Sequence, residues 1–280
     1  NRVRERLAAL LVPGQAVVTQ GYIGATEDQA TTTLGRGGSD YSAALLGAAL
    51  QADEVQIWTD VEGVLTADPR VVPEALPIEE LSFAEAAELA AFGAKVLHPA
   101  TIQPAVEAGI PVTVRHTQRP RGRFTTIRSD VRKNRTVTAL AMRGGVTVLT
   151  VSSTRMLEQS GFLAGLFEVF GRLGVSVDLV ATAEVSVSMT VDRDAPLDAL
   201  RAELGRFARV EIAEHRAIVA VVGERLKQTN GLAARIFGAL AGINVEMISM
   251  GANEINLSLV VEEKLAAETV QRLHLALFAR

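Results

Sequence analysis

The chain of 280 residues contains no cysteine, and only four of its 28 basic residues are lysines. Without a thiol there is neither a disulfide framework nor cysteine catalysis, and the composition fits a reducing, cytoplasmic setting. No apolar run approaches the ~20 residues that a membrane-spanning helix needs, and no secretory leader is recognisable, so no membrane partner is expected. The net charge is −4 and the basic residues form no stripe, which argues against nucleic acid. Small anionic metabolites would have to be held by local arrangement. What is present is a 48% hydrophobic, 21% charged composition in a chain long enough for two or three cores. The opening Arg2 to Val12 reads as an amphipathic helix already under way behind a first residue that is not Met, so a fragment of a longer protein is expected.

The stretch from Thr31 to Ser42 organises the rest. Gly35, Gly37 and Gly38 free the backbone for positive φ and close approach, and Ser39 or Asp40 can cap the apolar helix that begins near Tyr41. Free N–H groups, a positive helix end and the Arg36 guanidinium together suit a phosphate or carboxylate group. Taken alone, the same residues describe an ordinary glycine turn.

Ahead of it, Gln15 to Gln20 reads as a buried strand, followed by a polar loop from Ala25 to Thr33. Behind it come a helix from about Ser39 to Leu50, a strand Val55 to Asp60 and a loop carrying Asp68-Pro69-Arg70. A helix opened by a Ser82/Glu85 capping box follows, then the turn Gly93 to Pro99 with Lys95, the first lysine of the chain. His98 is expected to be structural, since no second ligand stands at helical spacing from it. Val112 to Val114 is a further strand, and residues 128–136 read as a linker. Strand, glycine turn and helix in this order suit a parallel α/β sheet with ligands at the carboxyl ends of its strands.

After about Thr136 the pattern changes and then repeats at an offset of 70. Gly161 matches Gly231, Phe170 matches Leu240, Leu173 matches Ile243, and Val185, Val187 and Met189 match Ile255, Leu257 and Leu259. Alternation predicts strands at Thr147 to Val151, Val175 to Leu179 and Val185 to Val191. Helices are expected at Leu163 to Leu173, Pro196 to Phe207 and Ala266 to Phe278. The order is that of a ferredoxin-like split unit, twice.

These residues carry a family resemblance. Val17 to Gly24, Thr31 to Ser42, Trp58 to Val61, Thr66 to Arg70 and Phe92 to Ala100 resemble the C-terminal half of the aspartate kinase catalytic domain, and the tandem repeat resembles the paired ACT domains of the same enzymes, nearest to the lysine-sensitive class. The fold so implied is α/β. Residues 1–134 would be part of an amino-acid kinase (carbamate-kinase-like) parallel-sheet domain, followed by two ferredoxin-like ACT domains (βαββαβ), 140–214 regulatory and 215–280 dimerising.

The resemblance implies ATP- and Mg²⁺-dependent phosphorylation of the β-carboxylate of L-aspartate, on the route to lysine, threonine and methionine. Arg36 and Ser39 would hold the aspartate carboxylates beside Tyr22, and Asp40 would organise the phosphoryl-transfer centre. Thr59, Asp60, Arg70, Lys95 and Val96 would hold the nucleotide. Leu65 departs from a tyrosine frequent in the family. No protein ligand set for metal stands out, so Mg²⁺ would ride on the phosphates and water.

The family's Lys-Phe-Gly-Gly-Thr-Ser segment has no counterpart before Lys95. The chain alone is therefore expected to be a poor kinase or none, with half of the catalytic sheet lacking or completed by another segment. Inhibitory L-lysine would sit at Met156, Phe162, Leu163, Val177, Asp178 and Glu184 in the first repeat, where Gln159 and Ala183 depart from the family. Ile248 replaces Asp178 in the second. A homodimer or dimer of dimers through the ACT domains is implied. Two other readings are an amino-acid-binding regulatory and dimerisation module without kinase activity, and a kinase of the same fold acting on glutamate derivatives, against which the double ACT tail counts.

Overall fold

A computed structural model describes residues 2–35, 37–93, 99–131, 136–157 and 160–279. They fall into two compact units, Asn1–Ala139 and Leu140–Arg280. Among the described residues no helix is long and apolar enough to cross a membrane.

The first unit opens with α1 (Arg2–Ala8). A hairpin of β1 (Ile23–Ala25) and β2 (Thr31–Thr33) then stands where a polar loop was expected. Its turn is closed by Thr26, whose Oγ1 accepts from the Ala30 N–H at 3.0 Å. Next come α2 (Gly38–Leu50), β3 (Val55–Thr59), β4 (Glu80–Ser82), α3 (Phe83–Ala91), α4 (Pro99–Glu107), β5 (Val112–His116) and β6 (Thr125–Arg128). The sheet order is β3-β5-β6-β4. The pairs β3/β5 and β4/β6 are parallel, joined by antiparallel β5/β6.

The expected strand Gln15 to Gln20 is not one: its residues are exposed, Val18 at 93%. A continuous apolar run becomes an interior strand only when neighbours cover it, and the described sheet ends at β3 without reaching it. The capping box is present: Ser82 Oγ accepts from the Glu85 N–H while the Ser82 N–H reaches Glu85 Oε2 at 3.0 Å. Glu85 is fully buried, and its other oxygen takes the Thr138 hydroxyl at 2.6 Å. One carboxylate thus satisfies a helix start and a residue of the next strand. Pairing of this kind is what allows a charged group inside a core.

That next strand is β7 (Val137–Ser152), which begins in the first unit and continues into the second. The second unit adds α5 (Phe162–Arg172), β8 (Val180–Thr182), β9 (Ser186–Asp192), α6 (Leu197–Leu204), β10 (Arg209–Gly223), α7 (Leu232–Ala239), β11 (Met247–Met250), β12 (Asn256–Glu262) and α8 (Ala266–Phe278). Six of the strands form one sheet, β11-β12-β10-β7-β9-β8. Its two ends, β8 and β11, lie in contact with each other, so the sheet curls back on itself.

The repeat is structural as well as sequential. Gly161 and Gly231 both cap their helices in the left-handed region, at φ 90° and 76°. The strand expected at Val175 to Leu179 begins only at Val180. The reason is Thr190: its carbonyl accepts the Asp178 N–H while its buried hydroxyl accepts the Leu179 N–H, at 3.1 and 2.9 Å. A side chain that takes a ladder bond breaks the regular pairing there. No Cβ placed on Gly161 or Gly231 would meet an atom within 4 Å, so only backbone strain opposes a side chain. Gly161→Ala and Gly231→Ala are each expected to cost about 1–2 kcal/mol, read as matched losses of stability in urea unfolding.

Candidate functional site

In the first unit the site is built on the start of α2. The helix begins at Gly38, and its cap is Gly37 at φ 73° with no side-chain bond, so neither Ser39 nor Asp40 is the cap. The hydroxyl that acts there is Ser42, one turn in. It donates to the Gly38 carbonyl at 2.8 Å and accepts the Tyr22 N–H at 3.1 Å. This back-bonding is open to a serine four residues into a helix, and it joins the incoming chain to the helix start. Tyr22 is held at φ 71°, and its carbonyl accepts the Leu34 N–H at 2.8 Å.

The glycines are required by close packing. A Cβ on Gly38 would stand 2.9 Å from Tyr22 Cδ2 and Leu34 Cβ, one on Gly37 would stand 2.4 Å from Thr101 Cγ2, and one on Gly21 would meet Ser39 Cα at 3.1 Å. Tyr22, Gly38, Ser39 and Ser42 therefore form one cluster with Thr101 of α4 against it. Ser39 is exposed at its surface, as a ligand-binding hydroxyl must be.

The strand ends converge on the same side. Gly47 packs on Val55 at the first residue of β3. From that contact α2 runs back about 12 Å to Ser39 at 1.5 Å per residue, and β3 runs forward about 13 Å to Thr59 at 3.3 Å per residue. Thr59 and Asp60 thus stand at the same end as the helix start. The Thr59 hydroxyl donates to Asp60 Oδ1 at 3.0 Å, and Thr117, beyond β5, donates to the Thr59 carbonyl through both its N–H and its hydroxyl. Arg70 is turned to its own loop. Its Nε and Nη2 hold Asp68, the closest contact being 2.5 Å, and the side chain is 75% exposed. Arg36, Lys95, Val96 and His98 lie outside the described residues, as does Gln159.

In the second unit Met156, Phe162 and Val177 pack, half-buried, against the first repeat's core of Leu166, Phe170, Val187 and Met189. Leu163 is exposed beside them, and Glu184 is exposed in the turn before β9. Asp178 lies at the edge of this group, ion-paired to Arg143. Ile248, its counterpart, is an exposed residue of β11. Sequence reasoning missed Ser42, Thr101 and Arg143. The four-residue spacing of Ser42 from Gly38 was the one available signal; the other two meet their partners only through tertiary contact.

The chain matches the model of the amino acid kinase family over residues 1–116 and that of an ACT domain over residues 219–277. It is 46% identical over 270 residues to the lysine-sensitive aspartokinase 3 of Escherichia coli, a match covering 94% of this chain and 60% of that protein. The structure of E. coli aspartokinase III in complex with aspartate and ADP, described as an R-state, superposes with a TM-score of 0.83 at 45% identity, over 98% of this chain and 64% of that one. The complex of the same enzyme with lysine and aspartate, described as a T-state, gives 0.78 at 47%, over 92% and 59%. The chain thus spans about three-fifths of the length of these relatives.

Burial raises the Asp40 carboxyl above its ordinary value of 3.8. A raised folded pKa makes an acid's contribution to stability fully present below that value and lost as pH rises through the folded one. Asp40→Asn is therefore expected to melt about 1–3 °C above the parent at pH 7, with the difference closing near pH 3.5, as read by thermal denaturation at both pH values.

Proposed function

We propose that this chain, a member of the aspartokinase family, carries part of the site at which its parent protein phosphorylates the β-carboxylate of L-aspartate with ATP, together with the regulatory tail that senses L-lysine. The carrying observation is the start of α2, where a glycine cap, the Tyr22–Ser42–Gly38 clamp and exposed Ser39 stand at the same end as the carboxyl end of β3. In that reading Ser39, with Arg36, binds the aspartate carboxylates and Tyr22 closes on the amino acid. Asp40 holds the transfer centre, while Thr59 and Asp60 meet the nucleotide with Lys95, Val96 and Arg70. A carboxylate oxygen attacks the γ-phosphorus and the bond to the ADP oxygen breaks, so the demand on the protein is positioning and charge compensation. Arg70 must leave Asp68 to take part.

Among the described residues no three Asp, Glu or His side chains gather as a metal site. A Mg²⁺ ion would then be carried on the ATP phosphates and water, where it would neutralise developing charge. Support for the regulatory half is the packing of Met156, Phe162 and Val177 on one core, with the Asp178 carboxylate following Val177 in the chain; in this reading Asp178 and Glu184 would meet the two ammonium groups of the ligand. Exposed Leu163, Phe167, Val180 and Val185 favour pairing of the tails into a homodimer or dimer of dimers.

A second reading is that the chain by itself is only an effector-binding and dimerisation module; the complete six-stranded sheet of the second unit favours it. Product formation by the chain alone, trapped from β-aspartyl phosphate with hydroxylamine, contradicts the module reading. For the regulatory half, calorimetric titration is expected to show saturable L-lysine binding, weakened at least tenfold by Asp178→Ala, with L-threonine and L-aspartate as controls. Lysine binding indifferent to that substitution would remove Asp178 from the effector site.

A further inference from the structure

The charged group that the effector-site reading leaves unused is Arg143, on β7 just before Gly144-Gly145. Its Nη2 donates to Asp178 Oδ2 in a close ion pair and lies 3.8 Å from Asp192 Oδ1. The two paired side chains are only 26% and 24% exposed. Arg143 Nε is buried with no hydrogen-bond partner among the described residues. Asp178 is also the carboxylate that the proposed reading gives to the effector's ammonium group. Resting on that reading, we infer that Arg143 is an internal competitor for the effector site. Its guanidinium occupies Asp178 in the empty state and has to leave before an ammonium-bearing amino acid can seat there, so Arg143 sets the concentration at which the site fills.

Three physical points carry this. A largely covered carboxylate stabilises one cation well, and a second cation brought to it is repelled by the first, so guanidinium and ammonium compete for it. The docked guanidinium is incompletely satisfied: one of its five donors is buried and unused, which weakens its hold relative to a fully bonded arginine. A resting place is within reach, because Asp192 is already near and mostly exposed, so a small rotation moves the charge to a solvated partner.

The second repeat lacks both halves of the device. At the offset of 70, Arg143 corresponds to Ala213 and Asp178 to Ile248. Cation and anion are absent together where no effector site is proposed. The consequence is a population effect: the apparent dissociation constant equals the intrinsic one divided by the fraction of molecules whose Asp178 is unoccupied. If that fraction is about 0.1–0.2, removing the competitor tightens binding about five- to tenfold.

The test is calorimetric titration of L-lysine into the full chain and into Arg143→Met, Arg143→Lys and Asp178→Asn, each checked for parental circular dichroism. Arg143→Met is expected to bind L-lysine about five- to tenfold more tightly, while Arg143→Lys, which keeps a cation, stays within about twofold of the parent. Binding by Arg143→Met alone, with none by the parent, would support the inference more strongly. Unchanged binding by Arg143→Met overturns it, and weakened binding assigns Arg143 to holding Asp178 in place instead. Should Arg143→Met not fold, Arg143→Gln gives the same readout with a polar head. If Asp178→Asn binds L-lysine as the parent does, or neither the parent nor the Arg143 variants bind, the effector-site reading itself fails. Loss in Asp178→Asn with no gain in Arg143→Met leaves that reading standing and overturns only the competitor.

Discussion

A ferredoxin-like unit needs four strands, and the second repeat contributes only three of its own among the described residues. The six-stranded sheet follows from that shortage. β7 and β10 are neighbours at the centre of the sheet, with β9 on the outer edge of β7 along Val146–Ser152 and β12 on the outer edge of β10 along Arg216–Val222. Both carry a left-handed residue just before that outer pairing, Gly145 at φ 71° and His215 at φ 57°. The kink at Gly145 is fixed from the second repeat. Glu263 accepts its N–H at 2.8 Å and holds Arg193, whose own N–H bonds the Gly145 carbonyl. A Cβ on Gly144 would stand 2.6 Å from the same carboxylate, so a side chain there would displace Glu263 from its place.

The carboxylates of the chain divide by their surroundings. Glu85 is sealed and fully bonded, and serves to tie α3 to Thr138. Asp40 is half-covered without such bonding, which burial registers as a raised pKa. A carboxyl covered in this way costs stability once it ionises. Asp178 lies between these cases, paired with a single arginine that is itself incompletely bonded. The same contrast separates Arg70, which has a local partner in its loop, from a cation committed to a ligand.

Periodicity and spacing made much of this legible. Local rules sufficed for the Ser82/Glu85 box, for α5 and α8, and for the repeat at an offset of 70, because each depends on residues within a few positions or on internal self-similarity. Gln15 to Gln20 misled because an apolar run shows suitability for a sheet but not the presence of neighbours. Val175 to Leu179 misled because Thr190, eleven or more residues away, takes a ladder bond with its hydroxyl. The cap of α2 was displaced because glycine at 38 tolerates helical geometry, and so the helix starts before the serine that looked like its cap. Arg143 was invisible for a different reason: nothing along the chain connects it to Asp178, 35 residues on.

The most direct test of this account is amide hydrogen exchange followed residue by residue in the full chain. If β7 and β10 are common members of one sheet, the amides of residues 140–142 should exchange as slowly as those of Ala217–Val222, through the same global opening. Exchange of residues 140–142 at the rate of the exposed turn around Glu184 would mean that β7 is not held against β10, and the shared-strand account would be wrong.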